Sequence, residues 1–233
     1  MRILTYVPII HTSADLGSLA KYVTKRGIAD LGEPFWQEHQ KAVYKFWDCL
    51  MRYFDFKDVS GVKIYQDGMV AEGEVGEKIV EETAKAGSKN YELVSKLLKR
   101  GAILVKTESF KLVKEERDRL FNITQAKSIV EKLIAFIGYK LTKGGLLNKR
   151  DNLIAKRIDE TLQHGEKGIL FIGAYHNIKD KLSKSIQVRE IKDIKKVREY
   201  QNLLPFHDKY KERYEALKEY LISPIGEKDN PWV

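Results

Sequence analysis

The sequence predicts an α/β fold, a mainly parallel sheet of about five strands flanked by helices. Three observations predict it. Five short runs rich in Ile, Val, Leu and aromatic residues recur along the chain, at 2–10, 62–66, 102–105, 168–172 and 186–191. The stretches between them carry apolar residues at three- and four-residue spacing, the mark of amphipathic helices. The first run is almost continuously apolar, which suits a strand covered on both faces as parallel sheets require.

Taken in order, residues 2–10 read as a strand with Pro8 near its end. Ser13 or Asp15 then caps a helix with Leu16, Leu19, Ala20 and Val23 inside, stopped by Gly27. After Pro34, the spacing of Phe35, Val43, Phe46, Trp47, Leu50 and Phe54 predicts a long amphipathic helix. The strand at 62–66 leads into Asp67-Gly68. Two helices follow, the first broken at Gly87 and the second capped by Ser88. The strand at 102–105 runs into Thr107-Glu108-Ser109. Residues 110–142 read as two helices, the second with an apolar face at Ile129, Val130, Leu133, Ile134, Ile137 and Leu141. Gly144-Gly145 is the candidate hinge, with Asn148 capping a helix that lasts to Leu162. The fourth strand enters Gly173-Ala174-Tyr175-His176, and a short helix and the fifth strand follow. Two charged helices separated near Pro205 finish the chain, with a loosely held tail at Asn230-Pro231-Trp232.

Composition narrows the setting. The 233 residues form one domain, 1–233, because no linker, repeat or low-complexity tract divides them. Cys49 is the single cysteine, so no disulfide forms within the chain, and its apolar helical neighbours make it a buried structural residue. The opening apolar run is too short for a bilayer and no small-residue cleavage site follows it, so the expectation is a cytoplasmic protein with no membrane partner. High Lys and Glu content hints at a thermophilic source. The net charge of +9 falls unevenly: residues 1–90 hold 12 basic against 13 acidic residues, and the rest hold 30 against 20. A basic second half can attract nucleic acid. Interleaving, as in Lys179-Asp180-Lys181, favours a solvated surface instead.

In open parallel sheets, ligands bind beyond the carboxyl ends of the strands. There the sequence places His11 with Asp15 close behind, then Asp67, Glu108 and His176, from four different strands. Each also has a purely structural reading. Asp67 before Gly68 is turn chemistry, Glu108 suits a helix amino end, and a histidine after a strand often serves only as a hydrogen-bonding residue. The coincidence of all four on one edge favours a site. His39 reads as a partly buried helix residue, His164 as a helix-end cation and His207 as part of a helix start. No Walker loop, dinucleotide-binding glycine motif, serine elbow or zinc-binding His-Glu-x-x-His occurs.

The run 149–158 (Lys-Arg-Asp-Asn-Leu-Ile-Ala-Lys-Arg-Ile), followed by Phe171-Ile172-Gly173-Ala174-Tyr175-His176, resembles the closing part of the TraB/Tiki/ChaN/erythromycin-esterase-like superfamily. Its members pair an Arg-bearing helix with a strand ending in Gly-x-x-His, and carry a similar Gly-x-x-His after the first strand and acids after the next two. Pro8-Ile9-Ile10-His11, Asp67 and Thr107-Glu108 fill those places here. Pro8 stands for the first glycine, Gln66-Asp67 where glutamate is usual, and Lys149-Arg150-Asp151 for the common Glu-Arg-Asn. The resemblance implies an EreA/ChaN-like fold and a site of His11, Glu108, Arg150 and His176, with Asp67. It also implies hydrolysis of peptide or ester bonds.

The leading expectation is therefore a hydrolase acting on a small-molecule or peptide substrate. His11 and His176 either ligate a divalent metal (zinc, manganese or cobalt) with Glu108 or position a water, and Arg150 and Asp15 contact the substrate. The alternative is a non-catalytic protein that binds a small anionic ligand in the same pocket, or nucleic acid through its basic half.

Overall fold

The computed structural model describes residues 1–125 and 129–226, without the side chains at 16, 18, 120 and 122–143. The side chains of the expected apolar face at 129–141 and of Leu16 are among those not described, and the tail at 230–232 lies outside the described residues.

Five parallel strands form one sheet in the order β3-β2-β4-β1-β5: β1 Arg2–Ile9, β2 Lys63–Gln66, β3 Ile103–Val105, β4 Lys167–Gly173 and β5 Ile186–Glu190. α-Helices fill every connection but the last, where the short helix expected before β5 is a 3-10 turn at Lys179–Lys181. They are α1 Ala20–Leu31, α2 Glu33–Asp55, α3 Gly73–Lys85, α4 Lys89–Lys99, α5 Phe110–Gln125 and α6 Ile129–Thr161, with α7 Ile194–Leu203 and α8 Lys211–Ile222 after the sheet.

Side chains alternate along the strands, so each face of the sheet has its own core. Val7, Ile9, Ile64, Ile169 and Phe171 pack on the aromatic face of α2 and on α4, α7 and α8. Leu4, Tyr6, Tyr65, Leu170 and Ile172 pack on Ile154, Ala155 and Ile158 of α6 and on Leu162 just beyond it. Pro8 is tolerated in a central strand for a local reason. Ile191 N donates to Tyr6 O, so the even-numbered residues of β1 turn their backbone toward β5. That ladder ends at Tyr6 opposite Glu190, and the N–H that Pro8 lacks falls beyond it.

Three expectations change. Gly27 does not stop a helix: it lies inside α1, where the Trp36 ring packs so closely that a β-carbon would sit 2.3 Å from it. Gly144-Gly145 is not a break, since α6 runs through both, and Asn148 is a helix-interior residue whose side chain accepts from Lys181 Nζ at 2.6 Å. The first helix begins as a 3-10 turn, Ser13–Leu19, in which Asp15 accepts from Thr12 N at 2.5 Å. Ser88 does cap α4, accepting from Tyr91 N at 3.1 Å. Cys49 is buried and donates to Ile222 O. Among the described residues no helix is long and apolar enough to cross a membrane.

Candidate functional site

Beyond β4 the chain turns tightly, with His176 N donating to Gly173 O at 3.0 Å. Arg198 of α7 fixes the turn by donating to Ala174 O at 2.9 Å. His176 is thereby tucked under the sheet edge with 4% of its surface exposed. Its ring is oriented by Asp151 of α6, which receives Nδ1–H on Oδ1 at 2.5 Å and Asn177 N on Oδ2 at 2.9 Å. A carboxylate on Nδ1 fixes the tautomer and leaves Nε2 as the working nitrogen.

That nitrogen faces Asp67, the residue after β2, with Nε2 3.5 Å from Oδ2. His11, two residues past β1, approaches the same oxygen from the other side at 3.7 Å. Gly173 makes this convergence possible. Its N–H donates to Asp67 Oδ2 at 3.0 Å, and a β-carbon there would stand 3.2 Å from that oxygen, 3.5 Å from the His176 ring and 3.7 Å from His11 Nε2. The two imidazoles, remote in sequence, thus meet across the adjacent strands β1 and β4 around one carboxylate oxygen. His11 is the more accessible, with 39% of its side chain exposed.

Arg150 of α6 supports the cluster from below. Its guanidinium donates to Asp67 Oδ1 at 2.7 Å, to both oxygens of Glu108 at 2.5 and 2.7 Å, and to Glu116 of α5. Glu108 also accepts from Gly68 N at 2.7 Å. The position of α6 explains the pairing of roles. Arg150 and Asp151 lie one turn before Ile154 and Ala155, on the stripe that packs under the sheet, so the apolar face of the helix carries both polar groups to the strand ends.

Electrostatics follow from this enclosure. Burial works to raise the Asp67 pKa, but His176, His11 and Arg150 hold it well below the ordinary carboxylate range. For His11, desolvation works to lower the pKa, and Asp67, with Asp15 behind it, raises it above the ordinary value instead. Burial pushes the Glu108 carboxyl up, against the pull of Arg150. Its two oxygens nonetheless accept three N–H groups, an arrangement that suits the carboxylate form.

All of the expected site residues assemble at one sheet edge except in role. Arg150, expected to contact the substrate, is 4% exposed and paired with three carboxylates. Asp15, expected to contact substrate, has a 2% exposed side chain that accepts from Thr12 N and Ser88 Oγ. Glu108, expected as a metal ligand beside His11 and His176, spends its oxygens on Arg150 and Gly68, and Asp67 is the acid that both imidazoles share. The expected trio therefore does not offer three free donors to one point. Among the described residues, no group of three or more His, Cys, Asp or Glu side chains is arranged to hold a metal ion.

Two site residues escaped the sequence. Asp151 stood in a triplet read as a departure from a family pattern, and its value lay in that very position. Glu116 gave no signal beyond one more charge on a helix. The remaining histidines lie in other surroundings. His39 is buried against Tyr200, its Nδ1 2.9 Å from the hydroxyl, His164 meets the Met1 nitrogen, and His207 stacks on Phe35 at 3.4 Å. Compared with family profiles, curated proteins and solved structures, the chain matches none.

Proposed function

We propose that the protein is a hydrolase of ester or peptide bonds in uncharged substrates, working through an acid–base pair of histidines. The observation that carries this reading is the approach of His11 Nε2 and His176 Nε2 to one oxygen of Asp67. The roles divide by environment. His176, with Nδ1–H committed to Asp151, offers the lone pair of Nε2 to a water and takes its proton. His11, half-exposed and with its pKa raised by Asp67, is the proton donor to the leaving group. Asp67 stabilises whichever imidazolium is present, and Arg150 holds Asp67 and Glu108 in place.

Preference for uncharged substrates follows from the charge of the cluster. Asp15, Asp67, Glu108, Glu116 and Asp151 face Arg150, Arg198 and two histidines, so five carboxylates still outnumber the positive groups with both imidazoles protonated. An anion would meet repulsion there, which also weighs against an anion-binding protein. The likeness of the strand-end residues to the TraB/Tiki/ChaN/erythromycin-esterase-like superfamily supports the same class of reaction.

Screening turnover on a panel of neutral esters and peptides tests the reading. His11→Ala and His176→Ala should each lose at least about 10²-fold in rate. Undiminished turnover in both variants would end the proposal. Turnover abolished by a chelator and restored by zinc, manganese or cobalt would replace the water-activation scheme with a metal-assisted one.

A further inference from the structure

The histidine cluster supplies a base and an acid, but its nearest N–H donors are already spent. Gly173 N donates to Asp67, and Arg150, expected to contact the substrate, is enclosed by three carboxylates. A free donor stands on α4, which packs on the face of the sheet opposite α6. Ser88 caps that helix and accepts from Tyr91 N at 3.1 Å, which fixes the backbone of its first turn. The Ser88 hydroxyl also donates to Asp15, whose carboxylate lies 3.8 Å from His11 Nδ1. The start of α4 is thereby tied to the loop carrying His11. Tyr91, Val94 and Leu98 fall on one stripe of the helix, and the Tyr91 ring packs on the core with them.

Tyrosines that bury their rings ordinarily find a partner for the hydroxyl. Tyr65 reaches Thr161, Tyr200 reaches Tyr214 and Tyr175 donates to Asn202. The Tyr91 hydroxyl makes no hydrogen bond to any described residue, yet it is not enclosed: the half-buried side chain leaves its oxygen open to solvent. Burial and then the charges of Asp67, Asp15 and Glu108 push its pKa up, which keeps it a neutral O–H at any ordinary pH. Asp67 and Asp15 also flank the His11 ring at 3.7 and 3.8 Å, so hydroxyl and imidazole border the same two carboxylates. None of the three acids takes the hydroxyl proton. Asp67 accepts from Gly173 and Arg150, Asp15 from Thr12 and Ser88, and Glu108 from Arg150 and Gly68. Tyr6 is the contrasting case. Burial and then Asp151, Glu190 and Asp67 act on its phenol, and its oxygen is shut from solvent.

We propose that Tyr91 is a substrate-binding residue of this site, its hydroxyl donating to the carbonyl oxygen of a neutral ester or amide held beside His11. The assignment rests on the hydrolase reading for its catalytic meaning, but the binding it requires is measurable without turnover.

N-methylacetamide, a neutral amide, is titrated into the wild-type chain isotopically labelled at tyrosine Cζ. The Tyr91 resonance, assigned by its loss in Tyr91→Phe, should move saturably while that of the enclosed Tyr6 stays fixed. A Tyr91 resonance that does not move, or moves only linearly with added amide, overturns the proposal. In Tyr91→Phe the titration is followed at the His11 ring, where the apparent affinity should fall about tenfold, and an unchanged affinity also overturns it. The variant should melt at the wild-type temperature, because the hydroxyl has no partner in the chain to lose. A lowered melting temperature would make the hydroxyl part of the fold and count against the proposal. Where turnover is found, Tyr91→Phe should lower kcat/KM by roughly 10²-fold. Saturable amide binding at Tyr91 without hydrolysis of any panel substrate would sustain the binding role and sink the hydrolase. Turnover that depends on His11 and His176 but is indifferent to Tyr91→Phe would do the reverse.

Discussion

His176 owes its orientation to a single neighbour, and that makes Asp151 the most informative position in the cluster. Asp151→Asn preserves size but offers an amide to Nδ1, so the imidazole can keep its proton on the wrong nitrogen. Turnover should fall by about 10²-fold or more, with the fold intact by circular dichroism. A second prediction concerns His39. Burial holds its pKa at about 4 against an ordinary 6.5, so between those values the unfolded chain binds a proton that the folded chain refuses. Stability should fall as pH drops from 6.5 to 4, by up to roughly 3 kcal/mol, and level off below. In denaturant melts across that range, the wild type should lose stability relative to His39→Phe, and parallel curves would contradict the assignment. Residue identity at the strand ends was legible because strands announce themselves by composition and ligands gather where parallel strands stop. Roles were less legible. Whether Arg150 faces a ligand or three carboxylates depends on where α5 delivers Glu116, and no local pattern records that.

Helices and strands were read from periodicity, and the errors fall where glycine was treated as punctuation. Gly27 sits inside α1 because the helix must let the Trp36 ring approach, and Gly144-Gly145 is carried within α6. In both places a continuing helix overrides the modest helical penalty of glycine. Gly27→Ala should therefore destabilise the chain by about 1–3 kcal/mol despite the better helix propensity of alanine, because the new methyl meets the indole. A melting temperature equal to or above that of the wild type would refute the contact. Ser88 shows the opposite case, a cap readable from sequence whose full duty was not. It accepts from Tyr91 N and donates to Asp15, joining α4 to the loop that carries His11. Ser88→Ala should cost more than the ~1 kcal/mol of an ordinary cap.

Across the whole molecule the two cores of the sheet fix a polar edge at which Arg150 is the cation shared by Asp67, Glu108 and Glu116. Its removal in Arg150→Met leaves Asp67 and Glu108 buried without their counter-ion, a loss of about 3–5 kcal/mol at neutral pH. Those carboxyls then gain protons more readily in the folded chain than in the unfolded one. The deficit should accordingly shrink as pH falls, and a deficit that stays constant or grows in acid would argue that the guanidinium is not their partner. Acids outnumber bases at this edge, so the positive net charge of the whole chain does not describe the candidate site.

The proposed division of acid and base depends on His11 standing against the Asp67 carboxylate, and the imidazole titration of His11 by NMR tests this most directly. In the wild type the pKa should lie above 6.5, and in Asp67→Asn it should drop, because desolvation is then opposed only by Asp15, 3.8 Å from Nδ1. A His11 that titrates at its ordinary value in both proteins would contradict the shared carboxylate and, with it, the proposed division of acid and base.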